Sequence, residues 1–180
     1  MAIQTQTQLH GPRAGLSQRG GLVVEREKFD GTQSTVGEYI TTRVPTASVL
    51  ALFATPFTIL AAQGAGLAII PTRWAIHKPA GTAYGTIGAT DDMVLKYTNA
   101  AGAQCSSIIE STGFLDQATA QTRYGFVRGS ADNATPSDVT PVANAAVVLH
   151  MLVSEVTTGT SDLYVRMWYD ILPTVFTVAD

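Results

Sequence analysis

Residues 163–172 read LYVRMWYDIL, and the alternation within them decides the fold class. Successive side chains on a strand point to opposite faces. Leu163, Val165, Met167, Tyr169 and Ile171 are therefore expected on a core face, with Tyr164, Arg166, Trp168 and Asp170 on an outer face. Just upstream, residues 145–153 (AAVVLHMLV) are almost entirely apolar. That pattern suits a strand buried on both sides or lying at a subunit contact. Between the two runs, Thr157-Thr158-Gly159-Thr160-Ser161-Asp162 reads as a turn, making the pair an antiparallel hairpin or corner.

Working outward, strand follows strand. LVVEREKF (22–29) alternates between Gly20-Gly21 and Asp30-Gly31, Val36–Val44 stops at Pro45, and Ser48–Ala54 stops before Pro56. Phe57–Ala62 runs into the turn Gln63-Gly64-Ala65-Gly66, and Leu67–Lys78 into Pro79-Ala80-Gly81. Met93–Tyr97, Cys105–Thr112 and Ala120–Val127 complete the set. Short strands rich in Val, Ile, Thr, Tyr and Phe, punctuated by turn residues, predict an all-β antiparallel fold, a β-sandwich or a barrel. Helix signals are few: Pro56 interrupts the apolar stretch 47–62, and 113–123 has room for one turn. The polar segment 129–141 is expected to be an exposed excursion.

At 180 residues the chain has enough length for a real core. Charged residues make up only 14%, against roughly a quarter in a typical soluble domain, which points to surface covered by other protein. A net charge of -3 gives no reason to expect direct nucleic-acid binding. The single Cys105 excludes an internal disulfide and a cysteine zinc site within one chain. No stretch is apolar and long enough to span a bilayer, and MAIQTQTQLHGPRAG lacks the features of a secretion signal, so synthesis and folding in the cytoplasm are expected.

Residues 1–21 stand apart. They carry Gln4, Gln6, Gln8, Arg13 and Arg19, no acidic residue and no apolar period. Such a segment cannot order itself by burial; it is a loose tail or an extended arm that orders against a neighbouring subunit. The division expected is an arm at 1–21 and one β-sandwich domain at 22–180.

Candidate chemistry fails its tests one by one. There is no Gly-x-Ser-x-Gly nucleophile turn. His10, His77 and His150 are far apart and lack metal-ligand spacing, and the last two sit in apolar strand patterns that suit hydrogen-bonded structural histidines. Asp91-Asp92 and the pair Glu110 and Asp116 offer carboxylates, but the first pair reads as the turn before a strand. Gly64-Ala65-Gly66 precedes a strand rather than a helix and lacks the context of a phosphate loop. Trp74, Tyr164, Trp168 and Tyr169 raise a sugar-stacking platform against the commoner role of strand aromatics in packing or interfaces. No catalytic, cofactor-binding or metal-ligating residue is expected.

ATPFTILAAQGAGLAIIPTRWAIHK at 54–78, the TTGTSD turn and LYVRMWYDIL resemble a pattern in virion proteins of tailed bacteriophages. The resemblance implies a jelly-roll-like capsid decoration, or cement, protein on the virion exterior, made in the host cytoplasm. Its implied partners are the major capsid protein and itself, with a homotrimer favoured over a dimer. The expected contacts are the arm residues Gln4, Gln6, Gln8, Arg13 and Arg19, together with Tyr164 and Trp168. The alternatives are a head-fibre or tail component with a receptor- or carbohydrate-binding β-sandwich, and, from another class, a small hydrolase.

Overall fold

A computed structural model describes residues 38–126 and 140–174, together with the backbone of 25–27 and 33–35. The arm residues Gln4, Gln6, Gln8, Arg13 and Arg19, and most of the 129–141 excursion, lie outside the described residues. The chain divides into two compact units, residues 1–38 and 39–180. In the first, β1 (Glu25–Glu27) pairs antiparallel with β2 (Gln33–Thr35), Arg26 opposite Ser34.

Among its described residues the second unit is all-β apart from one helical turn. β3 (Glu38–Val44) leads into α1 (Thr46–Val49), followed by β4 (Phe57–Leu60), β5 (Leu67–Lys78), β6 (Tyr84–Gly85) and β7 (Met93–Tyr97). Then come β8 (Gln121–Phe126), β9 (Val147–Met151), β10 (Thr157–Thr158) and β11 (Leu163–Pro173). One sheet has the order β3-β11-β5-β8, a second β4-β9-β7, and β10 pairs with β6. Residues 104–109 add to the outer side of β7 through bridges from Gln104 to Lys96 and from Ile109 to Met93. The pairs are nested: β3 beside β11, β4 with β9, β5 with β8, and β7 with 104–109.

Both sheets feed one apolar core. Trp74, Ile76, Val165 and Met167 come from the first sheet; Ile59, Leu95, Val147 and Leu149 come from the second. Tyr97 of β7 donates its hydroxyl proton to the Ile69 carbonyl of β5 at 2.7 Å, a buried bond between strands of different sheets. All five residues of β9 are buried, as its unbroken apolar run predicts. Leu163, Val165 and Met167 are buried as expected. Tyr169 and Ile171 are only half-buried, because the ladder slips at Trp168/Tyr169, where Thr72 of β5 is an extra residue. The 157–162 turn proves to be a corner: β9 and β11 belong to different sheets, and Thr157 and Thr158 pair with β6 on the way across.

Two expected strands are not formed. Ser48–Ala54 is a helical turn and its continuation, because the Pro45 carbonyl accepts the N–H groups of Ser48 and Val49. Val49 and Leu52, three apart, both bury fully, which is a helical spacing rather than a strand one. Cys105–Thr112 makes only isolated bridges. Within it Ser106 Oγ, rather than a backbone carbonyl, accepts the Leu95 N–H at 2.8 Å.

Four connections are laced together at one end of this unit. Glu155 accepts the N–H groups of Phe53 and Ala54, and Asp91 accepts the Ser154 hydroxyl. Gly81 and Tyr84 donate their N–H groups to Ala118 and Leu115, and the Tyr84 hydroxyl bonds the Ser161 carbonyl. Lys78, fully buried, points its ammonium at the Pro79 and Thr119 carbonyls. These bonds hold the strand ends in fixed positions.

Candidate binding face

The face of the four-stranded sheet turned away from the core is built by strict alternation. β3 contributes Tyr39, Thr41 and Arg43; β11 contributes Tyr164, Arg166 and Trp168; β5 contributes Arg73, Ala75 and His77; β8 contributes Thr122, Tyr124 and Phe126. The register sets Trp168 opposite Arg73 and Tyr164 opposite His77, with Phe126, Tyr124 and Thr122 beyond Arg73, Ala75 and His77. Tyr124 is 80% exposed, Phe126 68% and Tyr39 53%. Tyr39 stands on the edge strand β3, and Tyr124 and Phe126 on the opposite edge strand β8.

Arginines order the rings. The Arg73 guanidinium lies 4.0 Å over the Trp168 ring, a distance at which cation–π attraction acts. Arg166 lies 4.9 Å over Tyr39 and 5.9 Å from the Trp168 ring, and its Nε donates to Thr41 Oγ1 at 2.9 Å. Between these groups is a shallow depression of about 210 Å³ lined by Thr41, Ala75, Ile76, His77, Thr122, Tyr164, Arg166 and Trp168. On its floor His77 Nδ1 and Thr122 Oγ1 share a hydrogen bond at 2.9 Å. Arg43, at the margin, is taken by Asp162 at 2.6 Å, the one ion pair among the described residues.

The expected contact residues Tyr164 and Trp168 thus share one face, and the expectation that they point away from the core holds. The other two aromatics of the suspected platform do not join them. Trp74 is buried, its indole N–H donating to Ser107 Oγ at 3.2 Å, and Tyr169 packs against the core. Tyr39, Thr41, Arg73, Tyr124 and Phe126 were not singled out from sequence. Their alternation is legible in EYITTRV and QTRYGF, but which strands become neighbours is not.

Asp91 and Asp92 serve the turn before β7: Asp91 accepts the Gly88 N–H and the Ser154 hydroxyl, and Asp92 accepts the Ser111 N–H. Gly64 and Gly66, both at positive φ, form the tight turn before β5. His77 and His150 are both hydrogen-bonded. Among the described residues, no three His, Cys, Asp or Glu side chains gather as a metal site. No described helix is long and apolar enough to cross a membrane.

Comparisons with protein families, with curated proteins and with solved structures find no match to this chain.

Proposed function

We propose that this chain is a jelly-roll accessory protein of a virus shell, a decoration or cement protein seated over junctions between major capsid subunits. The observation that carries the proposal is the nesting of strand pairs. With the bridged segment 104–109 placed beside β7, the order β3-β11-β5-β8 against β4-β9-β7-(104–109) supports reading this unit as an eight-stranded jelly-roll sandwich. This architecture recurs in viral capsid and lectin domains. A fold alone does not assign a function, so the surfaces matter. The low charge content and the exposed Tyr124 and Phe126 on the edge strand β8 suit a protein that works covered by neighbours. The laced loop end gives the stiffness a shell component needs.

In this reading the unit is a homo-oligomer, a trimer in preference to a dimer, and residues 1–21 are the arm that crosses to a neighbouring subunit. Many small contacts repeated over a symmetric shell add up to firm attachment. The test is the solution mass of the chain by light scattering, with and without residues 1–21, followed by co-sedimentation with shells of the major capsid protein. Oligomers that loosen without the arm, and saturable binding to shells, are expected. A chain that stays monomeric and ignores intact shells overturns the proposal.

A further inference from the structure

We infer that the depression on the outer face of the four-stranded sheet is a binding site for a carboxylated sugar of the hexuronic-acid type. This goes beyond the shell assignment and does not depend on it. Tyr124 and Phe126, the side chains that suit a covering neighbour, lie on the edge strand β8 and do not line the depression, so the two roles use different parts of the face.

Arg166 supplies the charge complement. Its Nε is committed to Thr41 Oγ1, and its guanidinium carbon lies 4.9 Å from the Tyr39 ring and 5.9 Å from the Trp168 ring, two rings that themselves meet at 6.1 Å. The two terminal nitrogens have no described partner, so a pre-oriented fork is left for one carboxylate. Thr41 uses its oxygen lone pair for that bond and keeps its hydroxyl proton to donate. His77 uses Nδ1 with Thr122, leaving Nε2 for a ligand hydroxyl. Tyr164, 39% exposed, is the apolar wall for the C–H face of a sugar ring. One oriented cation, two or three hydroxyl-reading groups and an aromatic wall within about 210 Å³ match a single acidic sugar residue.

Other anions fit less well. A phosphodiester chain calls for a row of cations, whereas the lining holds a single arginine and no lysine in a chain of net charge -3. A bare carboxylate would use Arg166 but leave Tyr164, Thr41 and His77 unused.

The test is a titration of the ¹⁵N-labelled full chain with glucuronic acid, glucose and acetate, followed by amide and side-chain N–H shifts. Glucuronate is expected to move the Arg166 Nε–H and the Trp168 indole N–H saturably. Its affinity should exceed that of glucose and of acetate by roughly tenfold or more. Arg166→Gln should lose about that factor with an unchanged fold by far-ultraviolet circular dichroism, and Tyr164→Ala should weaken glucuronate but not acetate. If Arg166→Gln disturbs the fold, Arg166→Lys serves, keeping the charge without the fork. Equal binding of acetate means an adventitious anion only, and equal binding of glucose means the charge is not read; either outcome overturns the proposal. So does an acidic peptide such as oligoglutamate binding where glucuronate does not, which would make the face a protein-docking one.

Discussion

Gly125 of β8 sits directly opposite Trp74 of β5, and the indole occupies the space a side chain at 125 would need. A Cβ placed there would lie 2.5 Å from Trp74 Cζ2, far inside van der Waals contact. Glycine within a strand weakens it unless something must come close, and here the buried indole is what comes close. Gly125→Ala is expected to destabilise the chain by about 1–3 kcal/mol through overpacking. That corresponds to roughly 2–4 °C of melting temperature per kcal/mol at this size. Trp74→Phe in the Gly125→Ala background should recover part of the loss; thermal unfolding of the two variants checks both statements, and an unchanged melting point for Gly125→Ala refutes the packing account.

The same pair shows what sequence can and cannot reveal here. Alternation in 163–167 and the apolar run of β9 report their own burial, because a strand's two faces are written in its own residues. Pairing is not written there. The alternation of 163–172 puts Trp168 on the outer face, but the largely apolar run 67–78 gives no such sign for Trp74, which the pairing of β5 turns into the core. The depression unites Thr41, His77, Thr122 and Arg166 from four strands, and no local pattern brings those positions together. The 48–54 error has a local cause: β-branched and apolar residues without a clean period fit either state, and the Pro45 carbonyl decided for the helical turn.

Asp162 joins β11's approach to the start of α1. Its Oδ2 takes the Arg43 Nε–H at 2.6 Å, and its Oδ1 takes the Thr46 N–H and hydroxyl at 2.9 and 3.0 Å. The Arg43 hydrogen bond first, then the Thr46 N–H, hold this carboxyl below its ordinary pKa. A carboxyl depressed in the fold contributes stability above its unfolded pKa, about 3.9, and that contribution disappears as pH falls through the lower folded value. Asp162→Asn should therefore melt below the parent at pH 7, with the gap closing in strong acid. A gap that stays constant with pH would show that the charge plays no part.

Cys105 is fully buried, and burial pushes its thiol up to about 12. Since the thiolate is the reactive form, the folded chain should resist a thiol-specific disulfide reagent at pH 8. Denaturant should release one reactive thiol per chain, matching the single cysteine. In the native state, labelling should proceed no faster than opening of the fold. Prompt labelling at pH 8 would mean the 104–109 segment opens on its own.

His150 is the buried group most exposed to acid stress. Its Nε2–H must be the donor to the Phe53 carbonyl at 3.2 Å, because a carbonyl can only accept, and the two rings stack at 6.1 Å. That leaves Nδ1 buried as an acceptor without a partner. Burial first, then the nearby Lys96 charge, lowers the pKa of the ring; the Phe53 carbonyl and Glu155 oppose the shift without reversing it. The unfolded histidine, near 6.5, therefore binds its proton more readily than the folded one, so stability falls as pH drops below about 6.5. His150→Phe removes this dependence along with the bond to Phe53. It is expected to cost about 1 kcal/mol at pH 8 and to flatten the difference in stability between roughly pH 7 and pH 5. Denaturant unfolding at both pH values checks this. The change in slope between parent and variant belongs to His150, and an identical slope would mean that Nδ1 finds a proton-accepting partner when the ring charges.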